Sequence, residues 1–158
     1  MSTLLFLDAC PRGPLSRTRQ ICQAFMGGLG PDWEVEILDL TQNGCPTDPL
    51  LAADGILVGA PSDDFLFPAC LKLYVERARP AALGRCRAQK AVYISACGGF
   101  IQGTHLGEDW ARTVFYDLGI QRFYTLRAEG LYAQGADTES ILAQAETLAR
   151  EKAARLFP

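Results

Sequence analysis

The chain has 158 residues, which is enough for one domain with a buried core and too few for two. Hydrophobic residues make up 49% of it and charged residues 21%, the composition of an ordinary globular protein. A net charge of -3 argues against a nucleic-acid surface, and no apolar run approaches the ~20 residues of a membrane span.

The first predicted elements are a strand over residues 4–7 and a helix over residues 16–29, joined by a polar loop. A helix start offers backbone N–H groups and a positive dipole end to an anion. Ser16 and Thr18 would add hydroxyls there, and Arg12 and Arg17 would add charge. The loop therefore predicts an anion site, although it matches neither the Walker nor the Rossmann spacing. The alternative is an ordinary loop with an N-cap serine and two solvated arginines.

The remaining chain continues to alternate strand and helix patterns. Strands are predicted at residues 35–38, 56–58, 91–94 and 123–126, helices at 68–78, 107–118 and 138–156, and a short helical turn at 48–52. Nearly all-apolar strands in this alternation predict one α/β domain over residues 1–158, with a parallel sheet covered on both faces.

Ligands of such sheets bind outside the carboxyl ends of the strands. Small residues follow the third strand at Ala60-Pro61 and the fourth strand at Gly98-Gly99, where they would let backbone approach a ligand closely. The alternative without a ligand is that Ala60-Pro61 is a strand end and Gly98-Gly99 is a mobile turn. Their joint placement with the first loop favours a binding site.

The cysteines indicate thiols rather than a disulfide framework. Six cysteines occur without a secretory signal pattern, so the cytoplasm is the expected location. No two of the cysteines have the CxxC spacing, and His105 is the single histidine, so no metal site is expected. If Cys10 lies by the helix dipole, its thiolate is favoured, and it should react before Cys22 or Cys70.

Four segments of this chain resemble the flavodoxin-like NAD(P)H-dependent FMN oxidoreductases, in particular the FMN-dependent azoreductases and quinone reductases. CPRGPLSRT resembles that family's phosphate loop, SPRGxxSx[ST], with Cys10 in place of serine. The stretch ADGILVGAPSDDFLFPACLKLYVER resembles its flavin-ring segment, and QKAVYISACGGFIQG resembles the loop that closes over the ring. RFYTLRAEGLYAQG resembles the family's closing strand.

The resemblance implies a flavodoxin-like doubly wound five-stranded parallel sheet of order 2-1-3-4-5, in three α/β/α layers. It implies FMN as cofactor, NADH or NADPH as electron donor, a quinone or azo compound as acceptor, and a homodimer. No side chain would be needed as acid or base. The implied cofactor-binding residues are Cys10, Arg12, Ser16, Arg17, Thr18, Pro61, Ser62, Asp63, Asp64, Phe65, Ala96, Cys97, Gly98 and Gly99.

The chain departs from the family at the third-strand loop. Ser62, Asp63 and Asp64 stand where the family usually has Met-Tyr-Asn, and two family insertions are missing, one ahead of the third strand and one after the helix ending near residue 78. If these carboxylates lie near the flavin ring, they would lower the flavin's reduction potential or repel the flavin. If they are solvated away from the ring, they would have no effect on it. Two alternatives follow: a flavodoxin-type electron carrier, or a degenerate binding or regulatory protein that has lost FMN.

Overall fold

The computed structural model describes residues 1–63 and 65–158. Five strands and five helices alternate along these residues: β1 (Ser2–Asp8), α1 (Arg17–Met26), β2 (Trp33–Asp39), α2 (Asp48–Ala52), β3 (Gly55–Gly59), α3 (Ala69–Ala82), β4 (Lys90–Ala96), α4 (Leu106–Asp117), β5 (Arg122–Ala128) and α5 (Thr138–Leu156). A short 3₁₀ helix, Gly13–Leu15, precedes α1. Every predicted element is present.

The strands form one parallel sheet in the order β2-β1-β3-β4-β5, which confirms the predicted flavodoxin-like topology. In this order β1 and β3 are next to each other at the centre, and strand order reverses there. All the carboxyl ends lie at one edge, so the loops that follow the strands converge at that edge.

Two hydrophobic cores cover the central strands, one on each face of the sheet. On one face, Phe25 of α1 and Phe157, which directly follows α5, are buried with Leu4 and Phe6 of β1. On the other, α3 and α4 pack residues such as Phe115 against the opposite side of β1 and β3. The result is the predicted three-layer α/β/α arrangement.

The prediction that both faces are covered is wrong for the edge strand β2. Residues 34–37 are exposed, including the apolar Val35 and Ile37. The physical reason is the crossover to β3, which contains the five-residue α2 and is too short to cover the strand. Glu34 and Glu36 place charged side chains on this exposed edge strand, which discourages pairing with another chain.

Helix boundaries differ from the prediction in two places. α1 ends at Met26 instead of residue 29, and α3 continues four residues beyond residue 78, to Ala82. The extension passes through Pro80, which cannot donate a helical hydrogen bond, so the sequence offers a stop signal that the packed helix overrides. In the described part of the chain, no helix is both long and apolar enough to cross a bilayer.

Candidate functional site

Segments after four strands enclose a cleft of about 280 Å³ at the carboxyl edge of the sheet. The loops after β1, β3 and β4 and the segment after β5 all contribute lining residues. The lining residues are Pro11, Arg12, Leu15, Ser16, Arg17, Thr18, Pro61, Ser62, Asp63, Ala96, Cys97, Gly98, Leu131 and Tyr132.

Ser16 fixes the start of α1 at the cleft. It is buried, and its side-chain oxygen accepts a hydrogen bond of 3.2 Å from the backbone N–H of Arg19. Its backbone oxygen accepts from Gln20, so the N–H groups of Arg17 and Thr18 are the first-turn donors left without an intrahelical acceptor. The predicted N-cap is confirmed, and two backbone donors remain at the helix end that lines the cleft.

The hydroxyl oxygen of Thr18 accepts a hydrogen bond of 3.1 Å from the backbone N–H of Ala96. Both residues are buried, so the contact joins the first turn of α1 to the end of β4 away from water. The Thr18 oxygen already accepts a hydrogen bond within the protein, while its hydroxyl hydrogen is still able to donate to a ligand.

An ion pair between buried Asp8 and half-buried Arg19, not predicted from the sequence, lies beneath the loop after β1. Asp8 and Arg19 approach to 2.6 Å, and the backbone N–H of Cys10 donates to Asp8 over 3.0 Å. Nε of Arg19 is buried and has no hydrogen-bond partner among the described residues. The signal available in the sequence was Asp8 itself, a charged residue at the end of an otherwise apolar strand.

The loop after β3 brings polar groups to the cleft. The backbone N–H of Ser62 donates to the carbonyl of Ala96 over 3.1 Å, which ties this loop to β4. Asp63 is exposed and exchanges two backbone hydrogen bonds with Leu66, of 3.0 and 2.9 Å. Phe65 has a φ of 68°, a conformation that few non-glycine residues adopt, and its side chain is exposed.

Two aromatic rings pack over glycines where the loop after β4 meets the segment after β5. A Cβ at Gly98 would lie 2.8 Å from the ring of Tyr132, and a Cβ at Gly130 would lie 2.3 Å from the ring of Phe100. Backbone hydrogen bonds from Gly130 to Gly99 (2.8 Å) and from Tyr132 to Gly98 (2.9 Å) run beside these contacts. The two segments can pack together in this way because Gly98 and Gly130 have no side chains.

An ionic cluster lies at the end of the same loop. Arg127 on β5 contacts Glu108 at 2.7 Å and His105 at 2.6 Å, and His105 is 3.3 Å from Glu129. Burial raises the pKa of Glu108, and the nearby charge of Arg127 opposes that rise. None of these side chains lines the cleft, so the cluster joins α4 to β5 behind it.

The structure brings ten of the fourteen predicted site residues into the cleft lining. Cys10, Phe65 and Gly99 do not line it, and Asp64 is outside the described residues. Pro11, Leu15, Leu131 and Tyr132 line the cleft without having been predicted. Leu131 and Tyr132 lie in the segment that resembles the family's closing strand, and that resemblance did not predict their contact with the cleft.

The expectation for Cys10 is wrong. Its side chain is buried, and its thiol lies 3.6 Å from the carbonyl oxygen of Gly59. Burial raises the pKa of Cys10 to about 12, and this effect outweighs the hydrogen bond from Ser16 that lowers it. The thiol therefore packs under the loop, and is neither a favoured thiolate nor part of the cleft wall.

The donors at the α1 end of the cleft fit a phosphate group. The hydroxyls of Ser16 and Thr18, the N–H groups of Arg17 and Thr18, and the exposed guanidinium groups of Arg12 and Arg17 all belong to cleft-lining residues. The backbone of Cys97 and Gly98 and the ring of Tyr132 line the opposite part. The cleft thus joins an anion-binding end to a mixed apolar and polar end.

Comparison with known sequences gives one consistent group of relatives. No protein-family model matches the chain. FMN-dependent NADH:quinone oxidoreductase 2 of Clostridium acetobutylicum is 35% identical over 116 residues, covering 64% of this chain and 58% of the relative. The matched region thus spans little more than half of that relative.

A second relative aligns along nearly its whole length. FMN-dependent NADH:quinone oxidoreductase of Bradyrhizobium sp. is 28% identical over 201 positions, covering 97% of this chain and 98% of the relative. Because 201 positions exceed the 158 residues of this chain, the relative has internal segments that the chain lacks. This agrees with the missing insertions predicted from the sequence.

Solved structures give the same fold. An FMN-dependent NADH-azoreductase from Bacillus anthracis in complex with FMN superposes with a TM-score of 0.81 at 16% identity, covering 100% of both chains. NAD(P)H:quinone oxidoreductase from Methanothermobacter marburgensis superposes with a TM-score of 0.72 at 19% identity, covering 98% of this chain and 96% of the other. At these identities the superpositions establish the fold.

Proposed function

Since this chain is a homologue of the FMN-dependent NADH:quinone oxidoreductases, we propose that it binds FMN in the cleft and passes electrons from a nicotinamide donor to a small quinone or azo acceptor. The observation that carries the proposal is the convergence of ten predicted flavin-site residues in one cleft at the carboxyl edge of the sheet. The relatives' names support the cofactor and the donor.

The phosphate of FMN would be held at the start of α1. Ser16 and Thr18 would donate from their hydroxyls, and the N–H groups of Arg17 and Thr18 would donate from the backbone. Arg12 and Arg17 would balance the phosphate charge from the exposed rim. The ion pair of Asp8 and Arg19 would support this loop without contacting the ligand, since neither residue lines the cleft.

The isoalloxazine ring would lie between the loops that follow β3 and β4. Pro61 and Ser62 would line one side, and the backbone of Cys97 and Gly98 would contact the polar edge of the ring. When bound, FMN would supply the hydride and electron transfer, so the protein needs to position it and set its electrostatics. Asp63 would lower the flavin's reduction potential because its negative charge disfavours the reduced anion.

Titration of the purified protein with FMN, followed by steady-state oxidation of NADH with a quinone acceptor, tests this function. We expect saturable flavin binding and acceptor-dependent NADH consumption, and parallel assays with NADPH identify the preferred donor. Binding without consumption of either NADH or NADPH would indicate a flavodoxin-type electron carrier. No saturable binding would leave the degenerate, flavin-free alternative.

We also propose that two copies associate through the cleft edge. Large apolar side chains on the four segments that form the cleft are exposed: Leu15, Phe65, Leu66, Phe100 and Tyr132. Exposed large apolar side chains gathered at one edge of a protein favour association. Leu66→Glu should shift the mass measured by light scattering from dimer to monomer, while Leu148→Glu on α5, which is exposed away from the cleft, should not.

The proposed location is the cytoplasm. All six cysteines are free in the structure, including the partly exposed Cys45 and Cys97. Free thiols persist in the reducing cytoplasm, which supports the assignment. Fractionation of the source cells with an antibody to this protein would test it.

A further inference from the structure

Tyr132 is the one aromatic residue among the described residues that line the cleft. It follows Leu131, whose side chain is buried in the core between the sheet, α1 and α5, so the backbone beneath the ring is fixed. The side chain itself is 63% exposed. An exposed aromatic ring on an anchored segment is available to a ligand.

Gly98 holds the ring in place. The backbone N–H of Tyr132 donates to the carbonyl of Gly98 over 2.9 Å, and the ring occupies the space that a side chain at Gly98 would fill. One part of the ring therefore packs against protein and the rest is open.

The loop after β3 contributes no comparable group among its described residues, since Pro61, Ser62 and Asp63 are the ones that line the cleft. We propose that Tyr132 provides the aromatic contact for the isoalloxazine ring, from the segment after β5 and not from the loop after β3. An aromatic ring fixed at a cleft wall favours a planar aromatic ligand through offset or edge-to-face packing. This inference rests on the proposed flavin binding, and it attributes part of the affinity for flavin to the side chain of Tyr132.

Equilibrium titrations with FMN and with riboflavin, which lacks the phosphate, test the contact. Tyr132→Ala should weaken the binding of both ligands by a similar factor of about 10, because the contact is made to the ring they share. Tyr132→Leu keeps apolar bulk over Gly98 and should weaken binding comparably, while Tyr132→Phe should stay within about twofold. Tyr116→Ala is the matched control, since Tyr116 is also 63% exposed but lies on α4 outside the cleft lining.

Gly98→Ala provides an independent test. The added methyl group would lie 2.8 Å from the Tyr132 ring and must displace it. We expect about a 10-fold loss of flavin affinity in the wild-type background and less than about twofold in the Tyr132→Ala background, because coupled residues are not additive.

Three results would overturn the inference: unchanged affinity in Tyr132→Ala, a loss confined to FMN, or equal effects of Gly98→Ala in both backgrounds. Thermal melting of every variant confirms that it is folded. If the proposed function itself is wrong, the wild-type protein will bind neither FMN nor riboflavin, which distinguishes that outcome from the three above.

Discussion

Thr18 and Ala96 are joined by a hydrogen bond of 3.1 Å from the backbone of β4 to the side chain of α1. The contact is buried, so water cannot replace either partner. It sets the helix start, with its free N–H groups, against the strand end that forms the other side of the cleft. The Thr18 oxygen thus adds a polar contact to the apolar packing that positions this end of α1.

Thr18→Val should therefore destabilise the protein by about 1–3 kcal/mol, because it leaves the Ala96 N–H buried without an acceptor. Thr18→Ser retains the oxygen and should cost less. Urea unfolding without added flavin measures both changes. Thr113→Val, at an exposed threonine on α4, is the control and should stay within about 0.5 kcal/mol of wild type. A Thr18→Val protein as stable as wild type would show that this contact contributes nothing.

Arg12 and Arg17 should contribute to FMN affinity through the phosphate. The double variant Arg12→Ala, Arg17→Ala should bind FMN at least about 10-fold more weakly, since a charge-assisted hydrogen bond is worth about 1.5–3 kcal/mol. Riboflavin lacks the phosphate, so its affinity should not change. Arg122→Ala removes an exposed arginine at the opposite edge of the sheet and serves as control. Equal losses for both ligands would place the phosphate elsewhere.

Asp63→Asn should make FMN bind more tightly and raise its reduction potential, because it removes a negative charge from the cleft wall. The difference from wild type should shrink as salt rises, since an exposed charge is screened over about 10 Å at 0.1 M. Redox titration at two ionic strengths measures this. Asp32→Asn, exposed before β2, controls for the change in net charge. The same potential in Asp63→Asn and wild type would mean that the carboxylate is solvated away from the ring.

A limiting thiol reagent at pH 8 should label Cys97 and Cys45 before Cys10. Burial raises the pKa of Cys10 to about 12, so very little of it would be thiolate at that pH, and its side chain is inaccessible. Peptide mapping identifies the labelled residues, and unfolding in guanidinium should make all six react. Early labelling of Cys10 in the native protein would contradict its placement beneath the loop.

Glu108 should make stability depend on pH in the acid range. Because burial raises its pKa in the folded state, the folded protein binds this proton more tightly than the unfolded chain. Its contribution to stability is present below the ordinary glutamate pKa and is lost as pH rises through the raised value. Glu108→Gln resembles the protonated form, so its melting temperature relative to wild type should increase from pH 4 to pH 7. A constant or falling difference would show that pairing with Arg127 outweighs burial.

The sequence by itself determined the fold. Its strand and helix patterns, with the N-cap at Ser16, predict every element and the three-layer arrangement, because periodicity and capping are local properties of the chain. They also predict the anion-binding end of the cleft, since an anion-binding loop is continuous in sequence. The resemblance to a family added the order of the strands.

The tertiary structure alone decided what depends on contacts between distant segments. Cys10 is buried because its strand is central, Asp8 finds Arg19 across the first loop, and Tyr132 reaches the cleft because β5 lies beside β4. No local pattern encodes these contacts, since each requires the sheet to be assembled first. Burial and charge pairing, which set pKa values, arise at the same stage, so the chemistry of the cleft is a property of the folded sheet edge.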